Sequence, residues 1–185
     1  MKTLSLIPKL NPLLVKLLAI YYDPFISATT IDNNGFHYSV YYDGELIGIL
    51  EVSQGSGIQI AVMPKMSGKG YGRMMLRALL NKVDKFDQFT YNVNPANYPS
   101  LKLLYDSGGG LQSSYVNEFV NFHGFLRRDG NIDDHYKQLL KKELPAAKER
   151  YLKMCHVFNE REDVYKIIKN FLDIEDYVYK YFNKK

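Results

Sequence analysis

The chain has 185 residues, 46% hydrophobic and 24% charged, with a net charge of +4. That length and apolar share suit one domain with a core of its own, and so modest a charge does not by itself argue for nucleic acid. The single cysteine, Cys155, excludes an internal disulfide and points to a reducing compartment, while His37, His123, His135 and His156 lack metal-ligand spacing, so no metal site is expected.

In chain order, Asn11 is a predicted helix cap with Pro12 at the first position. Leu13, Leu14, Leu17, Leu18 and Tyr21 form the apolar stripe of that helix, and Asp23-Pro24 ends it. Residues 12–22 are interrupted by Lys16, are too short to span a bilayer and lack a small-residue cleavage site, so the chain reads as cytoplasmic with no membrane partner. Asn33-Asn34-Gly35 and Asp43-Gly44 are hairpin turn sequences, and Phe36, Tyr38, Val40 and Tyr42 alternate between them. Residues 45–52 are the next predicted strand. The 16 tyrosines and 10 phenylalanines are spread through strand-like and helical segments, which is a core-packing pattern rather than a base-stacking one.

The stretch 58–83 is the most informative. Ile58, Ile60 and Val62 alternate up to Pro64, and Ser67-Gly68-Lys69-Gly70-Tyr71-Gly72 forms a glycine-dense turn. Gly72, Met75, Leu76, Leu79, Leu80 and Val83 then recur at helical spacing. A strand, a glycine loop and a helix N-terminus together present main-chain N–H groups and a positive dipole end to an anion, most naturally a phosphate or pyrophosphate. The Walker loop is excluded because Gly70, not Ser or Thr, follows Gly68-Lys69, and the dinucleotide fingerprint is excluded because the spacing is G-x-G-x-G.

Beyond the loop, residues 89–93 are a predicted strand, and residues 111–116 and 118–126 a predicted hairpin. Asp129-Gly130-Asn131 then punctuates the chain. The tail is helical: Asp133 and Asp134 suit a first turn, Pro145 is expected to separate two helices, and Val164, Ile168, Phe171, Ile174, Val178 and Phe182 form a last stripe.

Val62-Met63-Pro64, three residues, and Gly68-Lys69-Gly70-Tyr71-Gly72 resemble motif A of the GNAT superfamily of N-acetyltransferases. Residues 97–109, NYPSLKLLYDSGG, are similar to its motif B. The two motifs cover the middle third of the chain. The residue before the first loop glycine is Ser67, where the family usually has Arg or Gln.

The resemblance implies an α+β GNAT acyl-CoA N-acyltransferase fold over residues 1–130, with a central mixed, mostly antiparallel sheet flanked by helices. Residues 131–185 are then a C-terminal helical extension, one that suits a homodimer. It implies transfer of an acetyl group from acetyl-CoA to a primary amine of a small molecule or protein by direct attack on the thioester. Ser67, Gly68, Lys69, Gly70, Tyr71 and Gly72 would hold the pyrophosphate. The backbones of Ile60 and Val62 would pair with the pantetheine amides, and Asn97 and Ser100 would approach the cofactor, although both equally suit a helix start. Tyr105 is the candidate acid for the departing thiolate if the motif is counted from Gly109; counted from Gly108, Leu104 takes that place. Glu51 is the candidate base acting through water, since the motif A strand carries Gln59, with His123 further off. An alternative is a catalytically inactive GNAT-fold binding protein acting through its helical extension; nucleic-acid binding is the remotest reading.

Overall fold

The computed structural model describes residues 2–8, 14, 15, 17, 18, 21, 34–113, 121–159, 166–170 and 173. Strands β1 (Leu4–Ile7), β2 (Phe36–Tyr42), β3 (Glu45–Val52) and β4 (Ile58–Val62) form an antiparallel sheet in that order. Helix α1 (Tyr71–Lys82) follows a single 3-10 turn at Pro64–Met66. Then come β5 (Gln88–Val93), α2 (Tyr98–Asp106), β6 (Gly110–Ser113), β7 (Phe122–Arg127) and α3 (Asp134–Asn159). The last three strands make a second antiparallel sheet in the order β5-β7-β6.

The hairpin between β2 and β3 follows from Asp43 and Gly44, both at positive φ, which matches the twist of the flanking strands. Strand β3 is buried along most of its length because it is central. Its Gly48 is required by a close approach: an added Cβ would lie 2.5 Å from the Ala61 carbonyl oxygen and 2.7 Å from Cε of Met75. Met75 belongs to α1, so this helix covers the face of the sheet that Gly48 shares with its cross-strand partners Val40 and Val62. Met75, Leu76, Leu79 and Val83 are buried there, as their spacing predicts.

The C-terminus of α1 is tied down from β7. The Arg128 guanidinium donates to the carbonyls of Leu80, Val83 and Phe86, and lies over the Phe89 ring at 5.8 Å. A cation here satisfies carbonyls that a helix end leaves without partners. Arg128→Ala is expected to cost about 2–3 kcal/mol, read as a melting temperature lower by about 5–10 °C. Arg128→Lys should recover only part of it, because an ammonium lacks the planar fork.

Two expectations change. Strand β1 carries no signal in the sequence: Leu4–Ile7 is too short to show a period, and pairing with β2 creates it. Pro145 does not separate helices, for α3 runs through it. Packing of α3 along α2 and β6, with Leu140 and Ala147 buried, outweighs the lost backbone bond. The predicted strands at 111–116 and 118–126 are seen as the shorter β6 and β7, and residues 114–120 lie outside the described residues, as do Asn11 to Leu13, Asp23, Pro24 and most of the last stripe. Of the N-terminal helix, Leu14, Val15, Leu17, Leu18 and Tyr21 are helical, with Leu14, Val15 and Leu18 buried. No helix among the described residues is long and apolar enough to cross a membrane.

Candidate active site

Among the described residues, one isolated bridge links the two sheets. Gly57 and Thr90 form a lone parallel bridge, and the Thr90 N–H donates to the Ser56 carbonyl at 2.9 Å. Past it, β4 and β5 belong to separate sheets and make no further ladder among the described residues. The result is an opening between two parallel strands, closed at Ser56–Thr90 and leading toward the glycine loop.

The orientation of β4 decides which peptide groups line this opening. The Met63 N–H donates to the Ile47 carbonyl of β3 at 2.8 Å. Peptide direction alternates along a strand, so Met63, Ala61 and Gln59 turn their N–H and C=O groups to β3. Those of Ile60 and Val62 turn to the side of β5.

At the open end, Gly68 and Gly70 have φ of 75° and 83°. Gly70 is the residue before α1 and sits in the left-handed region, which a residue with Cβ enters only at a cost. No atom lies within 4 Å of a Cβ added at either glycine, so the space beside them is open. The Gly70 carbonyl accepts from Arg73 at 3.2 Å and from Met74 at 3.4 Å. The N–H groups of residues 68 to 72 have no acceptor among the described residues. Gly72 lies between the Val62 and Leu103 side chains, and the Tyr71 ring packs on Tyr42 at 5.6 Å. Ser67 is exposed, its N–H donating to Pro64, and Lys69 is exposed. Among the described residues, no group of His, Cys, Asp and Glu is arranged to hold a metal ion.

Helix α2 begins beside this region. The Asn97 side-chain oxygen accepts from the Ser100 N–H at 3.2 Å, so Asn97 is a helix cap with Pro99 in the first turn. Leu103 faces Gly72, and Asp106 binds Arg73 of α1 at 2.6 Å and also Lys102. Burial pushes the Asp106 carboxyl up, but Lys102 and Arg73 outweigh it and hold the group below the usual carboxylate value. Tyr105 stands about 200° around the helix from Leu103. It shares a face with Tyr98, whose ring meets Tyr151 of α3 at 6.4 Å, and its own ring lies 5.8 Å from Lys102 Nζ. Tyr105 is thus turned away from the loop. Leu104 is fully buried.

Glu51 is on β3 and only 6% exposed, which is rare for a carboxylate and requires partners. It stands opposite His37 and Gln59 on neighbouring strands, on the sheet face away from α1. Through the Gly57–Thr90 bridge, that face continues across the opening to Thr90 and Asn92, and His123 is the cross-strand partner of Asn92. A row of polar side chains therefore spans the opening on the face opposite α1. Spacing alone hinted at Glu51 but not at this row, because it joins strands far apart in the sequence.

The family model of the GNAT acetyltransferases matches residues 9–108, more than half of the chain. The chain belongs to the GNAT acetyltransferase family. This GNAT protein is accordingly an N-acetyltransferase, with acetyl-CoA as the acyl donor. No curated protein sequence matches it. Solved structures share its fold. An acetyltransferase from Bacillus subtilis in complex with CoA is 19% identical, with a TM-score of 0.52 over 69% of this chain and 99% of that one. A GNAT family acetyltransferase from Elizabethkingia anophelis with acetyl-CoA bound is 17% identical, with a TM-score of 0.51 over 68% and 97%. Mutant forms of the spermidine/spermine N-acetyltransferase from Vibrio cholerae are 15% identical, with a TM-score of 0.52 over 68% and 94%. The residues present here fit the donor: loop N–H groups without acceptors among the described residues stand beside open space, and a strand opening leads away from them.

Proposed function

We propose that this GNAT protein transfers the acetyl group of acetyl-CoA to a primary amine of a small molecule or protein, by direct attack of the amine on the thioester. The observation that carries the proposal is the run of N–H groups at residues 68 to 72, at the N-terminus of α1 and beside the opening between β4 and β5. Main-chain donors and the helix dipole suit the pyrophosphate. The GNAT donor supplies an activated acyl group when bound. The peptides of Ile60 and Val62 turn to the side of β5, along which the extended arm of the donor is proposed to lie. Ser67 and Lys69 contribute backbone rather than side chain, and Asn97 and Ser100 fix the start of α2 beside it.

The polar row on the face opposite α1 is the proposed route for the amine. Glu51 is its buried carboxylate, taking a proton from the ammonium through water. Polyamines belong in the first acceptor panel, since one protein of like fold is a spermidine/spermine N-acetyltransferase. The rotation of α2 weighs against Tyr105 as an acid. Tyr105→Phe is expected to change turnover by less than about threefold, or ~0.7 kcal/mol in the barrier, measured as steady-state kcat.

Calorimetric titration with acetyl-CoA followed by turnover with an amine panel tests the reading. Saturable binding and acetylation of at least one amine are expected. Absence of binding overturns it. Binding with no turnover across the panel favours a binding module working through α3 and the residues beyond it.

A further inference from the structure

One buried polar group beside the opening has no role in the scheme so far. Tyr91 lies on β5 and is 7% exposed, and its hydroxyl has no hydrogen-bond partner among the described residues. A folded chain gains nothing by burying a hydroxyl without a partner, so such a group calls for an explanation. Its place in the fold supplies one. Thr90 carries the main-chain link that closes the opening, which makes Tyr91 the first residue of β5 beyond the closed end. In parallel register it stands level with Ile58, and the strand from Ile58 to Val62 covers about 13 Å at about 3.3 Å per residue. An extended arm anchored at the loop and laid along β4 has its far end, the thioester, at the depth of Tyr91.

The side of the sheet also matters. Tyr91 is the cross-strand partner of Gly124 on β7, so both face the same way. A Cβ on Gly124 would lie 2.5 Å from Cδ2 of Leu104. The missing side chain of Gly124 lets α2 come down onto the sheet, and Tyr91 emerges on that covered face. Thr90 and Asn92, its neighbours in sequence, point to the opposite face, where the amine is proposed to arrive. The two faces thus separate the nucleophile from the leaving group.

We propose that the Tyr91 hydroxyl donates a hydrogen bond to the sulfur of the bound acyl donor and stabilises the negative charge that gathers there as the C–S bond breaks; this rests on the acetyl-transfer reading above. In that step the amine nitrogen forms a C–N bond and loses its proton to water on the Glu51 side. The C–S electron pair stays on sulfur, which then takes a proton from solvent. Tyr91 keeps its own proton. Burial pushes the hydroxyl pKa upward, so the group remains a donor at any working pH.

Tyr91→Phe removes the hydroxyl and little else. The melting temperature of the free variant is expected to equal or exceed that of the native protein. A clear fall would mean that the hydroxyl has a partner within the fold, and would overturn the proposal. In calorimetric titrations CoA should bind the variant about 3–10-fold more weakly, whereas desulfo-CoA, which has no sulfur, should bind both proteins alike. Equal affinity of CoA for both proteins overturns the proposal, and so does an equal loss for CoA and desulfo-CoA. If the native protein binds neither ligand, the acetyl-transfer reading itself fails, an outcome distinct from native binding that the variant retains in full.

Discussion

Gly70→Asp is expected to weaken CoA binding about 100-fold while leaving the melting temperature within a few degrees of native. Gly70 is left-handed at φ 83°, and a Cβ placed there meets no atom within 4 Å. Asp and Asn are among the residues that enter this region at modest cost, so the fold should accept either. Their difference is charge. Asp sets a carboxylate among the N–H groups of residues 68 to 72, where a pyrophosphate is proposed to sit. Two anions a few ångströms apart at this exposed loop repel by about 1–4 kcal/mol. Gly70→Asn is the control and should retain most of the affinity. Calorimetry with CoA checks both variants. Equal affinity of the Asp and Asn variants would show that no anion sits at Gly70.

Gly48→Ala is expected to lower stability by about 3 kcal/mol or more, seen in thermal melting as a loss of about 10 °C. The added Cβ would stand 2.5 Å from the Ala61 carbonyl oxygen and 2.7 Å from Cε of the fully buried Met75. Met75 is fully buried, and the carbonyl is backbone of β4, which pairs with β3. Relief therefore requires β4 to shift away from β3. Since Ile60 and Val62 are on β4, that shift displaces the peptides proposed to receive the donor. Acetyl-CoA affinity should fall along with stability, in contrast to Gly70→Asp, where affinity falls alone. A melting curve like the native one would mean that the helix and strand can part there at little cost.

The glycine loop, strand β3 and the buried stripe of α1 were legible in the sequence because each is a local pattern. Alternation of period two, a 3.6-residue repeat and glycines at alternate positions act within a few residues, and the GNAT motifs are built from those signals. The start of α2 was legible for the same reason, as Asn97 and Pro99 form a cap that needs nothing distant. Tyr91 was not legible as anything but core, since Phe89, Tyr91 and Val93 alternate as a buried strand face should. Tertiary structure alone decided that its hydroxyl lacks a partner among the described residues, that Tyr105 shares the helix face of Tyr98, whose ring meets α3, and that β7 lies between β5 and β6. It also decided the lone Gly57–Thr90 bridge, and with it the opening itself. Each of these is a meeting of segments tens of residues apart, settled by which surfaces exclude water together, and no local periodicity encodes that choice.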